Sequence, residues 1–257
     1  MTTPRPRMER PKKALPSLFT SANLAGGFIS IVFASQGEIL LAGWIVVGAA
    51  ICDALDGVVA RALGVSSKFG MELDSLADNV SFGAAPAYLI YAATLHRFEA
   101  LGMTVGAMYA LLAAYRLARF NAELSGFEKK EFSGLPSPIS AMTVVFFVIG
   151  FYENGRIAEI AEPYAAPLVV ALAILMISRV TYDTMPSFSP KGIKKKPLVP
   201  ALIVLGLIGA YLYGMLAVFA VFLFITLFGI FQALASAIRG GRTETPAEAR
   251  DLNGSNE

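Results

Sequence analysis

Asp53-Ala-Leu-Asp56-Gly57-Val-Val-Ala60-Arg61, then eight residues, then Gly70-Met-Glu-Leu-Asp74-Ser-Leu-Ala-Asp78, set four aspartates into sequence that is otherwise largely apolar. The stretches on either side, Ile39 to Cys52 and Val80 to Leu95, carry no charge. At 100° per residue, Asp53, Asp56, Gly57, Ala60 and Arg61 share one helical arc of about 140°. Gly70, Asp74, Asp78 and Ser81 form a stripe on the next helix, with neighbours roughly 5–6 Å apart at Cβ. A short connection between two antiparallel helices therefore brings all four carboxylates to one cavity. An aspartate at mid-membrane costs about 2.5 to 3.5 kcal/mol even on the lower scales, so four together imply a positive counter-charge.

Outward from this pair the chain keeps the same character. Of its 257 residues 56% are hydrophobic and 16% charged, against roughly 25% charged in a soluble domain. Eight apolar segments approach the roughly 20 residues that cross a bilayer: 16–35, 39–61, 69–95, 99–121, 137–152, 163–183, 198–215 and 218–238. The fold class expected is an all-α integral membrane protein, a polytopic bundle of about eight transmembrane helices. The transmembrane domain covers 16–238, after a basic segment 1–15 and before a polar tail 239–257 expected to be disordered.

The loops alternate in charge. One side holds Arg5 to Lys13, then Arg61 and Lys68, then Arg119, Lys129 and Lys130, then Lys191 to Lys196, then Arg239 and Arg242. The other holds Gln36 to Glu38, His96 to Glu99, and Glu153 to Glu162 with a lone Arg156. The positive-inside rule puts both termini, and the aspartate ends of the helices, on the cytoplasmic side of the cell (inner) membrane. A cleavable signal peptide ending near Ala34 is the alternative for the first segment, but its removal would invert the charge count. The Lys191–Lys196 loop suits anionic headgroups.

The composition also narrows the chemistry. One cysteine, Cys52, excludes an internal disulfide framework, and one histidine, His96, excludes a multi-histidine metal site. A net charge of +2 gives no footing for a nucleic-acid partner. A cluster of carboxylate oxygens suits hard ions such as Mg²⁺, Mn²⁺ or Ca²⁺, and four aspartates can hold two ions about 3.5–4 Å apart. Gly57, Ala60 and Gly70 lack bulk, so a flat or phosphorylated group can approach the backbone. Two other readings are open to loose aspartates: a buried network with Arg61 and Lys68, in which two cations face four carboxylates, and an ion-transport pathway.

The spacing D-x2-D-G-x2-A-R-x8-G-x3-D-x3-D resembles the signature of the CDP-alcohol phosphotransferases without a departure. That resemblance implies two divalent ions, Mg²⁺ or Mn²⁺, held by Asp53, Asp56, Asp74 and Asp78, with Asp78 also the general base. It implies a CDP-diacylglycerol donor whose CMP part lies near Gly57, Ala60 and Gly70, with Arg61 on the same side. Leu15-Pro16-Ser17-Leu18-Phe19-Thr20-x-x-Asn23 is similar to the opening motif of the membrane-integral phosphatidylserine synthases, which more often have Asn at the Ser17 position. Asn23 is placed with the donor on that ground. Lys68 reads equally as a donor ligand or a topogenic charge.

Arg116-Leu-Ala-Arg119-Phe120-Asn121, Phe132-Ser-Gly134-Leu135-Pro136-Ser137-Pro138, and Ser178-Arg179 with Tyr182 and Pro186 resemble later motifs of that branch. The resemblance implies an acceptor site at Arg116, Arg119, Asn121 and Ser137. From the residues alone, the two arginines are either topology-setting side chains that snorkel or a bidentate site for phosphate or carboxylate. Ser137-Pro138 reads as N-cap and first helical residue, at a helix end that favours an anion. The reaction implied is CDP-diacylglycerol plus L-serine giving phosphatidylserine plus CMP. Glycerol 3-phosphate or inositol phosphate as acceptor would want a denser basic pocket. The resemblance alone implies a homodimer.

Overall fold

A computed structural model describes residues 10–64, 68–124, 134–178, 180, 206, 208–212 and 214–240. Helix α1 (Arg10–Ser35) leads through a turn at Gly37 to α2 (Ile39–Leu63). Gly64, at φ 61°, ends α2 in the left-handed conformation and returns its N–H to the carbonyls of Ala60 and Arg61. Helix α3 (Lys68–Asp78) follows after this short connection, as an antiparallel pair requires.

The single span expected over 69–95 is an interrupted helix. Asp78 passes straight into a π-helical turn, Asn79–Ala84, and then into α4 (Ala85–Ala93). Pro86 has no N–H for the helical ladder, and its ring crowds the carbonyl four residues back. The widened turn before it accommodates both defects. A 3₁₀ turn, Leu95–Phe98, leads into α5 (Glu99–Leu124). Then come α6 (Ser137–Phe151), a two-residue ribbon β1 (Tyr152–Glu153) and β2 (Arg156–Ile157), and α7 (Glu162–Ile177). The ribbon, absent from the all-α expectation, is closed by Asn154-Gly155, both at positive φ, a pairing that suits a tight hairpin. Helix α8 (Met215–Gly240) is the last described.

Among the described residues, four helical stretches are long and apolar enough to cross a membrane: Ser17–Ser35, Ile39–Leu63, Leu95–Ala122 and Met215–Gln232. Helices α6 and α7, with 15 and 16 residues, rise only about 22–24 Å, short of a hydrocarbon core of about 30 Å. α6 is the centre of the bundle, buried continuously from Ser140 to Val148. Phe82, Leu89, Ile90 and Tyr109 pack into the same core. By contrast, α2 leaves Leu40, Leu41, Trp44, Ile51, Leu55 and Val58 exposed, the face a lipid phase would cover. The expected segment 198–215, Arg179, the basic loop at 191–196 and the tail beyond 240 lie largely or wholly outside the described residues.

Candidate active site

The carboxylates meet where α1, α2 and α3 converge. Side-chain oxygens of Asp53, Asp74 and Asp78 all lie within 4.8 Å of one another. The Asp53 and Asp78 carboxyls come close enough to act as hydrogen-bonding partners. Two acceptor-only groups that close call for a proton or a cation between them. Among the described residues, no lysine or arginine is ion-paired with any of the four aspartates. The donor set fits a hard divalent ion. Oxygens that share one such ion at about 2.1–2.5 Å each stand at most roughly 4–5 Å apart, and the oxygens of this cluster lie within that limit.

Asp56 is placed differently from the other three. It is buried, and its Oδ2 accepts a short hydrogen bond from Thr20 Oγ1 on α1. Asn23, one turn further along α1 and fully buried, donates from Nδ2 to Asp78 Oδ1 at 3.1 Å. The residue expected beside the donor therefore reaches the site through a carboxylate, and its own Oδ1 has no partner among the described residues. Ser81, in the π-helical turn, donates to the Asn23 carbonyl at 2.7 Å. A Cβ on Gly27 would stand 2.6 Å from the Ser81 hydroxyl and 2.9 Å from its Cα, so only glycine permits this approach of α1.

On the donor side, Gly57, Ala60 and Gly70 are half-buried, as close approach requires. The Arg61 guanidinium lies over Gly57, its Nη1 3.3 Å from where a Cβ would be. Lys68 begins α3, and its side chain is outside the described set.

The arginine end is built from α5, α6 and α7. Arg116 donates from Nη1 to Ser137 Oγ at 2.7 Å, lies 5.8 Å above the Phe120 ring, and is within electrostatic reach of Asp78. Its buried Nε has no partner among the described residues. Ser137 is the first residue of α6 and Pro136 its N-cap, one position earlier than the sequence suggested. The hydroxyl that was expected to cap the helix accepts from Arg116 instead. Arg119 donates from Nη1 to the Ile177 carbonyl at 3.0 Å and from Nη2 to the Ser178 carbonyl at 3.4 Å, closing the C-terminus of α7. Gly134, at φ 93°, sits against this junction, and a Cβ there would lie 2.2 Å from the Met176 carbonyl. Asn121 donates to Ser75 Oγ at 2.8 Å, tying α5 to α3.

Three side chains had no role in the sequence reading: Thr20, Ser75 and Ser81. Thr20 precedes Asn23 by one helical turn, a spacing that placed it on the same face. Nothing local signalled Ser75, and Ser81 was marked only by its place on the aspartate stripe; their partners lie 46 and 58 residues away.

Residues 13–185 match the family model for CDP-alcohol phosphatidyltransferase. The chain belongs to the CDP-alcohol phosphatidyltransferase family. It is 36% identical over 198 residues, covering 77% of this chain and 82% of the relative, to a CDP-diacylglycerol–serine O-phosphatidyltransferase of Helicobacter pylori. It is 38% identical over 172 residues, 66% of this chain and 69% of the relative, to an archaetidylserine synthase of Methanothermobacter thermautotrophicus. A third similar protein, a CDP-diacylglycerol–serine O-phosphatidyltransferase of Methanocaldococcus jannaschii, is 37% identical over 171 residues, 65% of this chain and 73% of the relative. This CDP-alcohol phosphatidyltransferase is thus a membrane transferase of phospholipid biosynthesis.

Proposed function

We propose that the chain transfers the phosphatidyl group of CDP-diacylglycerol to the hydroxyl of L-serine, releasing CMP. The observation that carries this reading is the pairing, among the described residues, of a three-carboxylate cluster with no cation bonded to it and a half-buried arginine whose buried Nε has no partner. Asp53, Asp56, Asp74 and Asp78 would hold the divalent ions, Mg²⁺ or Mn²⁺. When bound, these supply charge neutralisation for the donor diphosphate and the leaving CMP.

The chain's own groups do the rest. Arg116 meets the serine carboxylate with its planar fork, and Ser137 and Asn121 hold the surrounding helices in register. Arg119 contributes through the end of α7 that it closes. Asp78 takes the proton of the serine hydroxyl, whose oxygen bonds to the lipid-side phosphorus. The bond from that phosphorus to the bridging oxygen breaks, and the electron pair leaves with CMP. Gly57, Ala60, Gly70, Arg61 and Lys68 form the donor side. The hydrocarbon chains have a path in a groove of about 460 Å³ between α2, α6 and α8, lined by residues such as Ala50, Ala54, Val58, Met142 and Phe222. It flanks the aspartate face of α2, on the side nearer Gly57.

Eight crossings with both termini and the site in the cytoplasm, in the cell membrane, and a homodimer complete the reading. CMP release in detergent micelles, on adding serine, glycerol 3-phosphate or inositol phosphate separately, tests it. Release with serine alone is expected. Release only with a phosphorylated acceptor overturns the acceptor assignment, and release with none overturns the transfer. For the orientation, Glu38→Cys is expected to react with an impermeant thiol reagent on intact cells, and Lys130→Cys only after permeabilisation.

A further inference from the structure

We propose that α1 supplies a clamp, Thr20 and Asn23, that fixes the orientation of Asp56 and Asp78 and so sets the shape of the ion and substrate site. Both are positioning residues, and the inference rests on the metal-dependent transfer proposed above. The two side chains stand one turn apart on one face of α1 and reach carboxylates on two different neighbours. Thr20 Oγ1 donates to Asp56 Oδ2 on α2, and Asn23 Nδ2 donates to Asp78 Oδ1 at the end of α3. Both clamp residues are buried, at 2% and 0% exposure, and Asp56 is 7% exposed. Thr20 is the one hydrogen-bond partner of Asp56 among the described residues.

The torsion that turns an aspartate carboxylate is broad and nearly two-fold, so packing alone sets it poorly. A hydrogen bond to one oxygen fixes the carboxylate plane and leaves the second oxygen to an ion or a substrate proton. The clamp is itself held. Ser81, three residues after Asp78, donates to the Asn23 carbonyl at 2.7 Å, and Gly27 lets α1 approach closely enough for that bond. Asn23 and Asp78 are therefore joined twice, through the amide and through the π-helical turn. A flipped amide would turn the Asn23 oxygen toward the Asp78 carboxylate, two acceptors face to face. The present orientation is the one in which the amide donates.

The test uses the purified full chain in detergent, with free Mn²⁺ followed by electron paramagnetic resonance and CMP release followed in parallel. Thr20→Val and Asn23→Leu nearly keep the shape and remove the donor. Each is expected to lower Mn²⁺ affinity and kcat by about 10- to 100-fold, with the KM for CDP-diacylglycerol changed less than about threefold. Thr20→Ser, which keeps the hydroxyl, is expected to stay within about threefold of the native chain. Thr20→Val combined with Asp56→Ala should weaken Mn²⁺ no further than Asp56→Ala alone, because Thr20 acts through Asp56.

Native Mn²⁺ affinity and kcat in both Thr20→Val and Asn23→Leu overturn the clamp. So does additive loss in the Thr20→Val, Asp56→Ala pair. If Asn23→Leu does not fold, the Thr20 pair decides: a weak Val variant beside a native-like Ser variant supports the clamp, and equal behaviour overturns it. A native chain that binds Mn²⁺ yet releases no CMP with any acceptor overturns the proposed reaction, while the affinities still decide the clamp. A native chain that binds no Mn²⁺ overturns both.

Discussion

The carboxylates on α2 and α3 and the arginines on α5 both bring charge into an apolar bundle, but the protein provides for them in opposite ways. Asp53, Asp74 and Asp78 crowd together with no protein cation paired to them among the described residues. Arg119 is already engaged by the carbonyls of Ile177 and Ser178, and Arg116 by the Ser137 hydroxyl. A half-buried charge left uncompensated among the described residues favours a ligand that compensates it, since an isolated charge is costly in low dielectric. A half-buried charge closed onto main-chain carbonyls has a structural role. Arg116 lies between these cases, with one nitrogen bonded and, among the described residues, no partner for Nε.

That contrast orders the expected effects. Exhaustive chelation should abolish CMP release, and added Mn²⁺ or Mg²⁺ should restore it, since the cluster is built of carboxylate oxygens. Full activity after chelation, measured with residual metal quantified, breaks the carboxylate half of the comparison. Asp78→Asn keeps the shape but loses a charge and a proton acceptor. At near-saturating metal, kcat should fall by about 10² to 10⁴, with donor affinity changed far less. Near-normal kcat would show that another group is the base.

Arg116→Lys keeps the charge and loses the planar fork. The KM for serine should rise about 10- to 100-fold, the loss of a charge-assisted hydrogen bond. Arg119→Lys is the sharpest contrast to it. Loss of the bonds to the α7 carbonyls should lower stability by about 1–3 kcal/mol, read as thermal unfolding in detergent, with little change in serine KM. A tenfold KM rise at unchanged stability would instead make Arg119 an acceptor ligand. The smallest effect belongs to Arg97→Gln, at the opposite end of the bundle. Its 2.9 Å ion pair with Glu162 is part-exposed, 44% on the arginine side, and should be worth less than about 1 kcal/mol.

Much of the helical plan was legible because hydrocarbon runs and their interruptions are local properties. The observed helices begin and end close to the apolar segments 39–61, 99–121 and 137–152. The mixed character of 69–95 was not legible as a break. It shows as a π-helical turn only when Pro86 has to be fitted beside Ser81 and α1. Nor did composition separate α6 from α2. Both are apolar, yet one is buried on all sides and the other keeps a lipid-facing row. Hydropathy reports that a segment avoids water, not whether protein or lipid covers it.

Within the site, spacing alone assigned the aspartates to common faces of two helices, since helical geometry fixes the angle between positions. The sequence thus determined the apolar bundle, the carboxylate chemistry and the family. The tertiary structure decided which three carboxylates cluster, that Asp56 turns to Thr20, that Asn23 serves Asp78, and that Arg119 closes α7 rather than standing free. Each of these joins residues 36 to 58 positions apart or lies between separate helices. Helical periodicity relates residues on one helix and cannot orient one helix against another. That orientation comes from packing, here the close approach of Gly27 to Ser81 and of Gly134 to the α7 end.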